Sequence, residues 1–194
     1  RLLGVRIGFV MQEAAEALNP VYTVGFQVAE TVAAHRRIGF KHAFQTGLAL
    51  LSDAALDEPE SIARDYPHQL SGGQAQRVML ALSLAGRPRV LIADEPTSAL
   101  DLLTQAQVIE LLSRLVQERN MSLLLISHDL EVVAGLVDRV LVMQRGRVVE
   151  EGPASEVLST PRQTYTRMLL ASVPGRLGPP RPQEPRSWGD DGDG

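Results

Sequence analysis

The chain has 194 residues, 44% of them apolar and 22% charged, with a net charge of −4 and no cysteine. That length suits one domain with a real hydrophobic core, built from aliphatic residues because aromatics make up only 4%. Without cysteine there is no disulfide framework, thiolate metal site or Cys nucleophile. The acidic balance argues against nucleic acid as the main partner, and no apolar run approaches the ~18 residues that span a bilayer.

The first residue is Arg1 rather than Met, nothing near it resembles a signal peptide, and the expectation is a portion of a longer protein. Residues 5–11 (VRIGFVM) are apolar and β-branched and predict a strand with Gln12 at its end. Residues 14–22 contain Asn19-Pro20 and predict a loop. Residues 24–34 and 40–55 place apolar side chains three and four apart and predict helices. A polar turn at 57–60, a short helix at 61–65 and a Gly-rich turn after Gln69 complete a mainly helical portion, about 20–85.

Beyond Gln74 the pattern alternates. Helix is expected over 74–85 and 102–119, strand over 90–93 and 122–126, and helix again over 130–136. Strands at 139–143 and 148–151, joined through Arg145-Gly146, predict a hairpin at the sheet edge. Short helices are expected at 153–158 and 164–172, and the Pro-, Gly- and charge-rich stretch 174–194 reads as a disordered tail. Buried strands alternating with helices indicate an α/β fold with a parallel-rich sheet.

Five places carry chemistry. Leu70-Ser71-Gly72-Gly73-Gln74 is a turn opening a helix, where backbone N–H groups approach an anion closely, and Ser71-Gly72-Gly73 equally suits an ordinary helix cap. Asp94 and Glu95 end an apolar strand that Pro96 stops. In a phosphoryl-transfer site the first carboxylate can hold Mg²⁺ through water and the second can polarise the attacking water; otherwise the pair is a solvated strand end. His128 and Gln12 each follow a buried strand, and Asp101 suits a helix cap as well as a site. Gln12, Asp94 and His128 all fall at carboxyl ends of strands, the edge where open α/β sheets bind ligands.

In this order the residues resemble the nucleotide-binding subunit of ABC transporters, a P-loop NTPase-like fold with a helical subdomain. Gln12 matches the family's Q-loop, Leu70 to Gln74 its signature motif, Asp94 and Glu95 the end of its Walker B strand, Ser98 to Asp101 its D-loop and His128 its switch histidine. Gly8-Phe9-Val10-Met11-Gln12, Leu18-Asn19-Pro20, Thr23-Val24-Gly25, Tyr66-Pro67-His68-Gln69 and the stretch 161–174 resemble the oligopeptide, dipeptide and nickel importers within it. The resemblance implies ATP and Mg²⁺ as ligands, with Glu95 as general base and His128 on the γ-phosphate. Asp94 and Gln12 would hold Mg²⁺ through water, and Leu70, Ser71, Gly72, Gly73, Gln74 and Asp101 would contact nucleotide, Ser71 to Gly73 reaching the ATP of an opposite subunit. It further implies a second ATPase subunit, transmembrane permease subunits, an extracytoplasmic substrate-binding protein acting indirectly, and a peripheral position on the cytoplasmic face of the membrane.

The sequence departs from the family in one large respect. No G-x-x-x-x-G-K-[ST] loop occurs, and Gly39-Phe40-Lys41-His42 does not fit it. The cis phosphate cradle is therefore expected to lie outside these residues, leaving the isolated chain without turnover. Two other readings stand beside import: a catalytically dead partner whose Ser71 turn completes another subunit's site, and a non-transport ABC ATPase.

Overall fold

Ile7–Val10 (β1), Val90–Asp94 (β2) and Ser122–Ile126 (β3) form a parallel sheet in that order, with β2 in the middle. The protein is described by a computed structural model over residues 4–98 and 100–172, in two units that divide between Val137 and Asp138. The tail expected at 174–194 lies outside the described residues.

The strands are in register: Val10 lies opposite Ala93, Ala93 opposite Leu125 and Asp94 opposite Ile126. Their carboxyl ends therefore finish at one level, which is what brings the residues after each strand to a common edge. On one face of the sheet Val10, Leu91 and Ala93 are fully buried, while Phe9 on the other face is 40% exposed. β3 is more open, with Leu124 and Ile126 about half exposed.

The first unit is otherwise helical. Ala14–Ala17 (α1) is one turn of helix where a loop was expected. Its Ala-Ala-Glu-Ala composition favours helix, and the chain turns extended at Leu18, ahead of Asn19-Pro20. Val24–Arg36 (α2) starts at Thr23, whose Oγ1 accepts from Phe26 N, and packs on Phe40–Asp53 (α3). Gly25 is required there: its N–H donates to Ala63 O at 2.9 Å, and a Cβ would stand 2.8 Å from that same oxygen.

Pro59–Ile62 (α4) begins at the proline, two residues before the expected helix, because Pro suits the first helical position. The expected helical residues up to Asp65 are instead i→i+3 turns. A 3-10 turn at Pro67–Gln69 precedes Gly72–Ser83 (α5), which begins two residues earlier than expected. Leu102–Glu118 (α6) crosses from β2 to β3 and buries Val108, Leu111, Leu112 and Leu115. Leu130–Leu136 (α7) follows β3.

In the second unit Arg139–Gln144 (β4) and Arg147–Pro153 (β5) pair antiparallel as a separate two-stranded sheet. The hairpin was expected at the edge of the parallel sheet, but no described ladder joins the two sheets. Arg145 and Gly146 both have positive φ, the geometry of a two-residue hairpin turn. Ala154–Ser159 (α8) contributes buried Val157 and Leu158, and Thr164–Ala171 (α9) closes the unit.

Candidate functional site

The site grows from the end of β2. Asp94 is its last residue and is partly buried. Glu95 turns off the strand in the left-handed region, at φ 46°, a conformation that costs a non-glycine residue about 1–3 kcal/mol and is held by surrounding contacts. Those contacts are present. Glu95 N–H donates to Ile126 O at 2.9 Å, while its own carbonyl accepts from Ser98 N at 3.3 Å and Ser98 Oγ at 3.2 Å.

The Glu95 side chain is thereby turned toward the end of β3. Its Oε1 accepts two hydrogen bonds from His128, from the backbone N at 3.0 Å and from Nδ1 at 2.7 Å. The carboxylate is mostly covered, at 18% exposure, and the imidazole is open, at 79%. Hydrogen bonding to Glu95, then the charges of Glu95 and Asp129, raise the His128 pKa above its ordinary value, against a small opposing effect of burial. With Nδ1–H committed to Glu95, Nε2 is the free nitrogen, and in the imidazolium it too is a donor.

Gln12 stands two residues beyond the end of β1, exposed, with no described hydrogen bond to the other site residues. The structure thus brings Glu95 and His128 into contact, sets Asp94 at the same strand end, and leaves Gln12 on that edge at the neighbouring strand.

A second cluster lies at two helix starts. Ser71 caps α5: its Oγ accepts from Gln74 N at 3.2 Å, and Gln74 Oε1 accepts from Ser71 N at 2.9 Å, a reciprocal capping box. Leu70 is half-buried against the core. Asp101 caps α6, accepting from Leu103 N and Thr104 N at 3.1 Å and from Thr104 Oγ1 at 2.6 Å; the bonds from Thr104 hold its carboxyl below the ordinary range. Gly73 brings the two helix starts together, because a Cβ there would stand 2.6 Å from Thr104 Cγ2, and Gly72 lies near Leu100.

Thr97 and Thr104 were not singled out from the sequence. Thr97 is buried at 3% exposure and its hydroxyl accepts from Gln105 Nε2 at 3.2 Å, tying the turn after Glu95 to α6. The Asp101-x-x-Thr104 spacing, a cap residue and its partner one turn on, is the signal that points to Thr104.

No group of three His, Asp or Glu poised for a metal ion exists among the described residues. Mg²⁺ does not require one: it uses one or two carboxylates, with waters and substrate phosphates completing the shell. Asp94, whose carboxylate takes part in no described hydrogen bond, and the amide oxygen of Gln12 are hard oxygen donors of the kind it uses.

Fold and site together define a parallel α/β cassette with an acid pair and a histidine at its strand tips. The model of the ABC transporter family matches residues 1–98, and the chain belongs to that family. Among curated proteins it is 46% identical over 174 residues to the glutathione import ATP-binding protein GsiA of Salmonella choleraesuis, covering 90% of this chain and 28% of that one. It is 46% identical over 173 residues to the dipeptide transport ATP-binding protein DppD of Escherichia coli, covering 89% and 53%. With the peptidoglycan transport ATP-binding protein YejF of Agrobacterium fabrum it shares 47% over 171 residues, covering 88% and 31%. The chain thus spans about half or less of the length of these relatives. Among solved structures, the ATP-binding cassette MJ0796, a dimer in a post-hydrolysis state bound to ADP and Pi, superposes with a TM-score of 0.69 at 32% identity, over 78% of this chain and 64% of that one.

Proposed function

We propose that the chain is the hydrolytic and trans-acting part of an ATPase subunit that energises import of short peptides. The observation that carries this reading is the Glu95–His128 pair at the tips of adjacent parallel strands. Glu95 keeps Oε2 without a described donor, so one carboxylate oxygen is left to take a proton from an attacking water while the other holds His128. His128 offers Nε2 to the terminal phosphate, as a donor when protonated. Asp94 and Gln12 would hold Mg²⁺, which when bound neutralises phosphate charge and orients it for in-line displacement.

The capped turn at Ser71–Gly73 presents helix N–H groups suited to an anion. In a head-to-tail pair of subunits it would face the nucleotide of the opposite copy, and the solved cassette MJ0796 is itself dimeric. Permease subunits and, through them, an external substrate-binding protein are the further partners. Like the import ATP-binding proteins it resembles, the subunit would sit peripherally on the cytoplasmic face; no helix among the described residues is long and apolar enough to cross a membrane. Short peptides are the favoured cargo because GsiA and DppD carry glutathione and dipeptide transport in their names; nickel rests on the sequence resemblance alone.

The reading is tested by phosphate release. The 194-residue chain alone should show negligible MgATP turnover, since no phosphate-loop lysine lies within it. Turnover should appear when the chain is joined to an upstream segment carrying G-x-x-x-x-G-K-[ST], and E95Q should remove it. Robust release from the isolated chain would contradict the assignment. If mixing with a subunit that carries such a loop raises release and Ser71→Arg abolishes the gain, while the joined protein stays inactive, the dead-partner role holds instead.

A further inference from the structure

The opposite edge of the parallel sheet carries a cavity of about 750 Å³ at the amino ends of β2 and β3, lined by Arg87, Arg89, Arg119, Asn120, Met121 and Ser122 among others. Its rim is built from backbone. Arg87 and Asn120 both sit in the left-handed region, at φ 57° and 50°. Arg89 N donates to Arg6 O, and Ser122 N donates to Arg89 O, each at 2.9 Å. These bonds hold the rim loops in place before any ligand arrives.

The charge on this rim runs against that of the chain as a whole, which is −4. Arg87 and Arg89 are exposed and their guanidinium groups donate to no described residue. Arg36 stands close behind, its Nε donating to Ala85 O at 2.7 Å; burial, then the charges of Arg87 and Arg119, lower its pKa. Four guanidinium groups thus gather at one place. Among the described residues the one carboxylate bonded to any of them is Asp53, whose Oδ2 lies 2.6 Å from Arg119.

Cations crowded about a concave surface raise the local positive potential and favour a multivalent anion. Planar guanidinium forks match phosphate oxygens in pairs, and the side chains of Asn120 and Ser122 add donors. The cavity lies away from Asp94, Glu95 and His128, at the other ends of the same strands.

We propose that this cavity binds a phosphate-bearing polyanion, separate from the nucleotide edge. A soluble polyphosphate and an anionic lipid headgroup share that chemistry, and the test separates them. The 194-residue chain is titrated with inorganic pyrophosphate at low salt by calorimetry, and is sedimented with vesicles of phosphatidic acid or of phosphatidylcholine alone. The same is done with Arg87→Asn/Arg89→Gln, in which Asn tolerates the left-handed backbone, with circular dichroism to check the fold.

Saturable pyrophosphate binding that weakens about tenfold or more in the double variant, and falls steeply with salt, supports a soluble ligand. Co-sedimentation with phosphatidic acid alone, lost in the same variant, supports the lipid source. Two results would overturn the site: neither form of binding up to about 10 mM phosphate, a concentration that still detects weak affinities, or binding that survives Arg87→Asn/Arg89→Gln and disappears in Ser71→Arg.

Discussion

A single carboxylate oxygen, Glu95 Oε1, receives both the backbone N–H and the Nδ1–H of His128. The pairing spans two adjacent strand ends and gives His128 a pKa raised above its ordinary value. Because the folded value is the higher one, the charge-assisted contact stabilises the fold fully below about pH 6.5 and is lost as pH rises through the folded value. Titration of the His128 ring protons by NMR should show the raised value in the native chain and a shift back toward the ordinary one in E95Q. An unshifted native His128, or the same value in E95Q, would mean that the pair does not form in solution. If Glu95 is the general base of the proposed ATPase, the same substitution in the chain joined to a phosphate-loop segment should cost about 10²–10⁴ in turnover, the usual contribution of such a base.

The packing of Gly73 on Thr104 makes a second, stability-based prediction. An alanine Cβ would meet Thr104 Cγ2 at 2.6 Å, and Thr104 cannot swing freely because its hydroxyl donates to Asp101. Over-packing of this kind costs about 1–3 kcal/mol, more than the roughly 1 kcal/mol that Gly→Ala gains in helix propensity. G73A should therefore lower the chemical-denaturation midpoint. Removing the methyl group with T104S in the same chain should restore it, since Ser keeps the hydroxyl bond. Failure of T104S to rescue G73A would place the clash elsewhere.

Ser71 holds α5 through one half of a capping box. Ser71→Ala should cost about 1 kcal/mol, the usual effect of losing such a cap, while Ser71→Asp should cost less because Asp also caps. Urea unfolding of the two variants checks the order, and equal stability of S71A and the native chain would show that the cap contributes nothing to the fold.

What could be read from the residues, and what could not, divides along the range of the interactions. The apolar run 90–93 with acids after it, and the Val24, Val28, Val32 spacing of α2, are local signals, and both elements stand where expected. The strand-end placement of Gln12, Asp94 and His128 followed from the alternation of elements and the parallel order it implied. The contact between Glu95 and His128, 33 residues apart, was not legible; it needs the register of β2 against β3 and the left-handed backbone at Glu95. The arginine cavity is lined from two separate segments, 87–89 and 119–122, and no pattern within either of them signals it. α1 was missed because Asn19-Pro20 outweighed a four-residue run of good helix formers.

Glu150, on β5, shows the same long reach in the second unit. Its Oε1 accepts from Arg162 N at 2.7 Å and its Oε2 from Gln163 N at 3.2 Å, so a strand side chain supplies the acceptors at the start of α9 that Gln163's own side chain does not. The neighbouring Thr166 hydroxyl and these two backbone donors hold its carboxyl below the ordinary value of 4.5. For a group with a depressed folded pKa, the stabilisation is present above the unfolded value and is lost as pH falls through the folded one. Amide hydrogen exchange across α9, corrected for intrinsic rates, should therefore show protection in the native chain above about pH 4.5 that E150Q lacks. On acidification the two should converge once Glu150 is protonated, because the neutral carboxyl has lost the charge that strengthened both bonds. Equal protection in native and E150Q chains at neutral pH would show that α9 is held by its packing alone, through buried Thr166 and Leu170.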